Sequence, residues 1–179
     1  MSLNIDILLK DFKEHQEISN DSMLIVGVSG GCDSMVLLHA LLKVHSNITV
    51  AHVNYKLRGS DSDKDANLVK EVSKDNKLTF KYLEHDLKAD LDQHGGNLQE
   101  KARDIRYLFF KSLLKTYDTA YLVLAHHQGD QIENFWMQMA RGSGIRAMSG
   151  MTIKSSRTLR PLLSISKEQL HFYANENNI

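Results

Sequence analysis

Six consecutive residues, Ser29-Gly30-Gly31-Cys32-Asp33-Ser34, place two glycines, two hydroxyls and a carboxylate between an apolar run and a run with helical spacing. A glycine-rich turn that opens a helix presents backbone N–H groups, and the positive end of the helix dipole, to an anion. Ser29 and Ser34 add hydroxyl donors to that turn. No lysine follows the glycines, so this is not the common nucleotide loop. Asp33 is the odd member, because a carboxylate repels phosphates unless a cation lies between them. The set therefore points to ATP held with Mg²⁺, with Asp33 joining metal and phosphate, ahead of a role for Asp33 as a plain helix cap.

Such a loop needs a strand before it and a helix after it. The runs 23–28, 48–53, 78–83 and 120–126 read as buried strands, and helical spacing covers 34–45, 62–75, 97–117 and 130–141. An N-terminal helix places Ile5, Leu8, Leu9 and Phe12 on one face, and a last helix starts near Ser166. Near-continuous apolar strands alternating with helices predict an α/β fold, a doubly wound parallel sheet with helices on both faces. Ligands of such sheets sit beyond the carboxyl ends of the strands, at the edge that carries residues 29–34.

The bulk numbers are those of an ordinary globular chain. Of 179 residues, 42% are apolar and 25% charged. No apolar run approaches the ~20 residues of a membrane span, and the N-terminus lacks the order of a signal peptide. One cysteine, Cys32, excludes an internal disulfide and any multi-cysteine zinc or iron–sulfur site within the chain, and the expected location is cytoplasmic. Net charge is zero, yet residues 134–167 hold Arg141, Arg146, Lys154, Arg157, Arg160 and Lys167 with no Asp or Glu. A neutral protein with one wholly basic segment can bind a polyanion locally.

Ser-Gly-Gly-x-Asp-Ser after a first strand resembles the loop of the N-type ATP pyrophosphatases, or PP-loop enzymes. Further stretches, AHVNYKLRG (51–59), GNLQEKARDIRY (96–107), LAHHQGDQIEN (124–134), RGSG (141–144) and RPLL (160–163), are similar in order and spacing to the tRNA(Ile)-lysidine synthetase family. The resemblance covers roughly residues 20 to 179. It implies a Rossmann-like sheet of the adenine nucleotide alpha hydrolase type and the use of ATP and Mg²⁺. The implied reaction adenylates the first anticodon cytidine of tRNA(Ile), after which L-lysine displaces AMP.

Carried over residue by residue, the resemblance implies a catalytic set of Asp33, His126, Asp130 and Arg103. Ser29, Gly30, Gly31, Cys32, Asp33, Ser34 and His52 would bind ATP, and Asp33 and Asp130 would share the metal. Arg58, Arg106, Arg141 and Arg146 would meet tRNA or lysine. His127 reads as an ordinary strand-end histidine. Three places depart from the family pattern: Tyr55 stands where histidine is usual, Gly129-Asp130 replaces a pair of acids, and Asn134 follows Glu133 in place of threonine. Asp130 alone must then supply the acid at that edge.

The expected division is a catalytic domain over 1–145 and, over 146–179, the start of a C-terminal extension that is cut short. The expected partners are tRNA(Ile) and L-lysine, with no membrane; a homodimer is left open. GSGIRA (142–147) follows a helical pattern and lacks the context of a dinucleotide fingerprint. DSDKDANLVKE (61–71) reads as an acidic helix start, not a calcium loop, since Ala66 replaces the required glycine. Three rival readings keep the same loop: a tRNA thiolase, opposed by the single cysteine; a small-molecule amidating or NAD synthetase, opposed by the basic stretch; and a non-enzymatic nucleotide-binding sensor module, which absence of pyrophosphate release with every tRNA would favour.

Overall fold

The computed structural model describes residues 5–117, 119–140, 142 and 150–179. In chain order the elements are α1 (Ile5–His15), β1 (Leu24–Gly27), α2 (Cys32–Val44), β2 (Ile48–Asn54), α3 (Ser60–Asp75), β3 (Thr79–Glu84) and α4 (Leu87–His94). They continue with α5 (Leu98–Thr116), β4 (Tyr121–Leu124), α6 (Gln128–Ala140), β5 (Lys154–Ser155), β6 (Thr158–Leu159) and α7 (Lys167–Glu176).

The sheet runs β3-β2-β1-β4-β6-β5. β1 lies inside it, parallel to β2 and β4, so that Gly27 pairs with Ala51 on one side and Leu124 on the other. Only β5 runs antiparallel to its neighbour. Strand order reverses between β1 and β4, which opens a crevice at their carboxyl ends.

Successive strand residues face opposite sides of the sheet, and the two cores follow that alternation. Leu24, Val26, Val50, Val123 and Leu159 pack with Leu9 of α1, Leu37 and Leu38 of α2, and Leu170 of α7. Ile25, Ala51, Leu122 and Leu124 pack with Phe110 and Leu113 of α5. The expected α/β sheet covered on both faces is the one observed. Residues 61–71 lie inside α3, as an acidic helix start should.

Some expectations need correction. The strand near 78–83 is not buried: β3 is an edge strand, and its residues are exposed or half-buried because no further strand covers that side. The helix α4 and the β5–β6 pair were not anticipated. α4 has eight residues and is started by Asp86, whose side chain accepts from Ala89 N–H at 3.0 Å. The paired strands have two residues each, too few to show a period. Residues beyond 150 supply two strands of the same sheet and, through α7, part of its larger core. Among the described residues, no helix is long and apolar enough to cross a membrane.

Candidate active site

Beyond the ends of β1 and β4 lies a cleft of about 220 Å³. Ala51, Val53, Phe110, Leu124 and Ala125 give it apolar walls, and Ser29, Asp33, Ser34, Arg106, His126 and Asp130 supply the polar groups. Gly27 keeps the floor open, since a Cβ there would lie 2.8 Å from Leu124 Cδ2 and 2.9 Å from Phe110 Cζ.

The loop 29–34 is tied by its own serines. Ser34 Oγ donates to Gly31 C=O at 2.9 Å and accepts from Ser29 N–H at 3.1 Å. Gly31 N–H in turn donates to Ser29 Oγ at 3.3 Å. Gly30 adopts φ +89°, and a Cβ on it would come within 2.8 Å of Asp65 Cβ, so only glycine fits. Gly31 is the N-cap of α2 and no side chain caps that helix. Asp33 is therefore not a cap. Its two carboxylate oxygens accept from Lys167 Nζ, the first residue of α7, at 2.6 and 2.8 Å.

At the end of β4 the two histidines differ. Nε–H of Arg160 donates to His126 Nδ1 at 3.1 Å. An arginine can only donate, so the proton of His126 sits on Nε2. Burial, with Arg160, Arg106 and Arg103 nearby, lowers its pKa to about 4 against the opposing charge of Asp130, which leaves a neutral ring at pH 7. His127 accepts from Gly129 N–H through Nδ1 at 2.9 Å, and its Nε2 lies 3.7 Å from both Asp33 and Asp130. Asp130 is held by His127 N–H at 2.7 Å. One imidazole thus spans the two carboxylates, a role that its sequence position had not suggested.

The remaining expected residues are placed unevenly. Arg106 lines the cleft together with Tyr55, whose hydroxyl donates to Ala102 C=O at 2.8 Å. Arg103, one turn earlier, is exposed and lies over the Tyr107 ring at 5.5 Å, off the cleft wall. His52 is also off the wall. It is buried, with Nδ1–H donating to Val28 C=O at 2.7 Å, and so anchors the end of the first strand to the second. Arg58 is paired with Asp65 at 2.5 Å, next to Gly30 but outside the cleft. Gly30 and Cys32 face a second cavity, between α2, α3 and residues 177–179. Burial and the neighbouring Asp33 raise the Cys32 pKa, which keeps it a thiol. Arg141 and Arg146 lie outside the described residues.

Cys32, Asp33 and His171 bring ligand atoms within 4.8 Å of one another, but a thiol is a poor donor for Mg²⁺. Oxygen donors suited to that ion are Asp33 and Asp130, both on the cleft. Sequence reasoning missed His127, Arg160 and Lys167. The available signals were the basic stretch 134–167, which contains Arg160 and Lys167, and the RPLL motif, which contains Arg160.

A doubly wound sheet that ends β1 in an uncapped Ser-Gly-Gly-x-Asp-Ser turn defines a class, and the chain belongs to it: the PP-loop domain family, whose profile matches residues 2–179. Within curated proteins, the chain is similar to the tRNA(Ile)-lysidine synthase of Bacillus subtilis (strain 168), at 36% identity over 179 residues. That match covers 96% of this chain and 38% of the relative, so the chain spans well under half the length of that protein. Among solved structures, the U34-tRNA thiolase NcsA from Methanococcus maripaludis with its [4Fe-4S] cluster superposes with a TM-score of 0.75 at 17% identity, over 97% of this chain and 63% of that one. The NH3-dependent NAD synthetase from Campylobacter jejuni, in complex with the nitrate ion, gives 0.66 at 17% identity, over 98% and 72%. These two likenesses concern the fold alone.

Proposed function

We propose that this domain binds ATP with Mg²⁺ and cleaves it between the α- and β-phosphates, as the ATP-using part of a tRNA(Ile)-lysidine synthetase. The observation that carries the reading is Asp33: an acid within an anion-binding turn, free of any capping duty, facing Asp130 across one imidazole. The apolar walls suit a planar base, and the serine-tied turn suits phosphate. When bound, Mg²⁺ neutralises phosphate charge and orients the triphosphate; Asp33 and Asp130 are the residues that would hold it.

In the proposed reaction a cytosine oxygen of the tRNA attacks the α-phosphorus, and the bond to the bridging oxygen breaks, that oxygen leaving with the electron pair as part of pyrophosphate. The lysine amine then attacks the activated ring carbon, AMP leaves, and the amine loses a proton. Neutral His126 serves as a hydrogen-bond donor through Nε2. Arg106, on the cleft wall, provides a fixed positive charge for phosphate or base. The reading also carries a cytoplasmic location, and tRNA contacts by Arg141 and Arg146. The relatives' names support the tRNA and lysine parts, and the lone Cys32 disfavours sulfur transfer.

The test is product analysis with full-length protein, ATP, Mg²⁺, L-lysine and tRNA(Ile). AMP and pyrophosphate, formed only with tRNA and accompanied by lysine on the tRNA, are expected. ADP as product, or turnover indifferent to tRNA, would remove the proposal.

A further inference from the structure

Residues 160–167 pass beside the cleft and meet two of its lining residues, His126 and Asp33, as well as the start of α6. Arg160 donates to His126 at 3.1 Å. Ile165 C=O accepts from Gln128 N–H, at the start of α6, at 2.9 Å. Lys167 then reaches both oxygens of Asp33. The lysine is mounted on a firm base. Ser166 and Gln169 form a reciprocal capping box at the start of α7, and Leu170, Tyr173 and Ala174 are buried in the core shared with α2.

The loop 29–34 lacks the lysine that phosphate loops commonly carry, and the start of α7 brings one to the loop's carboxylate. We propose that Lys167 is that missing phosphate cation: it rests on Asp33 before nucleotide arrives, passes to the β- and γ-phosphates when Mg²⁺ takes Asp33, and stabilises the departing pyrophosphate. The inference rests on the ATP reading above.

Three observations make the exchange physically easy. The lysine side chain is 46% exposed and that of Asp33 26%, so their pair is partly solvated and weak enough to be traded for a polyanion. Asp33 keeps a neighbour when the ammonium leaves, since His127 Nε2 lies 3.7 Å away. The ammonium is a compact point charge on a flexible stem, able to shift from carboxylate to phosphate without moving α7. Charge developing on the bridging oxygen as its bond to the α-phosphorus breaks is the charge such a group stabilises.

The experiment compares full-length wild type, Lys167→Met and Lys167→Arg. Mn²⁺ binding without nucleotide is read by electron paramagnetic resonance, α,β-methylene-ATP binding by calorimetry, and AMP formation by kinetics. Lys167→Met is expected to bind Mn²⁺ severalfold more tightly, because Asp33 is released, while losing at least tenfold in kcat and in inhibition by pyrophosphate. Lys167→Arg should recover much of both losses. A purely structural tether would give no gain in Mn²⁺ affinity, and unchanged kcat and pyrophosphate inhibition in Lys167→Met would overturn the proposal. If Lys167→Met fails to fold, Lys167→Gln decides: Mn²⁺ affinity and pyrophosphate inhibition both unchanged from wild type in that variant would refute the assignment. Failure of wild type itself to bind the ATP analogue would instead refute the ATP reading.

Discussion

The two sides of the cleft are built by different means. The loop 29–34 is a backbone construction: glycine φ, short serine hydrogen bonds and an uncapped helix start, all within six residues. The opposite rim is a side-chain construction, in which Arg160 and Lys167 meet His126 and Asp33 across 34 and 134 residues of sequence. The first kind of site depends on local conformation and tolerates little change in the chain. The second depends on charges brought together by the sheet and can rearrange when a ligand competes. The difference suggests a division of labour: a rigid cradle on one side, exchangeable partners on the other.

The strongest test of that contrast is Asp33, where the two sides meet. Asp33→Ala should lower AMP formation by about 10²–10³-fold or more, the cost of removing a central electrostatic group. Thermal unfolding should shift little, because the exposed pair with Lys167 contributes about 0–1 kcal/mol. Near-full activity in this variant would leave the loop without a chemical role for its acid.

Next in size is a pH effect on the side-chain rim. The folded pKa of His126, about 4, lies below its ordinary 6.5. On acidification the unfolded chain therefore takes up the proton first, so this group's contribution to stability is complete above pH 6.5. It declines between pH 6.5 and about 4 and then levels off. The full decline is about 3 kcal/mol. Denaturant titrations across this window should show a shallower acid loss for His126→Gln than for wild type. Parallel curves would mean that the buried ring and its arginine neighbours do not govern acid stability.

On the backbone side, neighbouring glycines should respond unequally. Gly30→Ala forces a side chain into φ +89° and against Asp65, at a cost of about 1–3 kcal/mol. Gly31→Ala meets only Ser29 Oγ at 3.5 Å with φ −78°, and should stay within about 0.5 kcal/mol of wild type. Equal urea midpoints for both variants would break the claim that local conformation defines this side.

The smallest effect is expected at Cys32. Its side chain faces the second cavity, not the cleft, and no other cysteine lies within these 179 residues to resolve a persulfide. Cys32→Ala should retain the adenylation rate within about twofold, an energy near 0.4 kcal/mol. Selective loss of the tRNA product, with ATP binding intact, would revive sulfur transfer.

Much of this architecture is legible along the chain. β1 and β4 are nearly pure apolar runs and β2 a mostly apolar one, because strands covered on both faces bury nearly every residue. α2, α3 and α5 are long enough for their spacing to be seen. β5 and β6 are too short to carry a period, and the mixed composition of β3 conceals that it is an edge. The apolar positions of 105–114 divide in the same way: Phe110 and Leu113 enter the core, while Leu108 stays 68% exposed.

The sequence by itself determined the loop, the alternation of strands and helices, and hence the edge of the sheet where chemistry would sit. All of these depend on neighbours in the chain, on glycine conformation and on periodic burial. Only the tertiary structure decided which cation meets Asp33, that His127 spans two carboxylates, and that His52 anchors a strand instead of lining the cleft. Those contacts depend on strand order and on the packing of α7 against α2, which bring distant residues within a few ångströms. Ion pairs and ring tautomers follow from such proximity in space, and no local pattern of residue types encodes it.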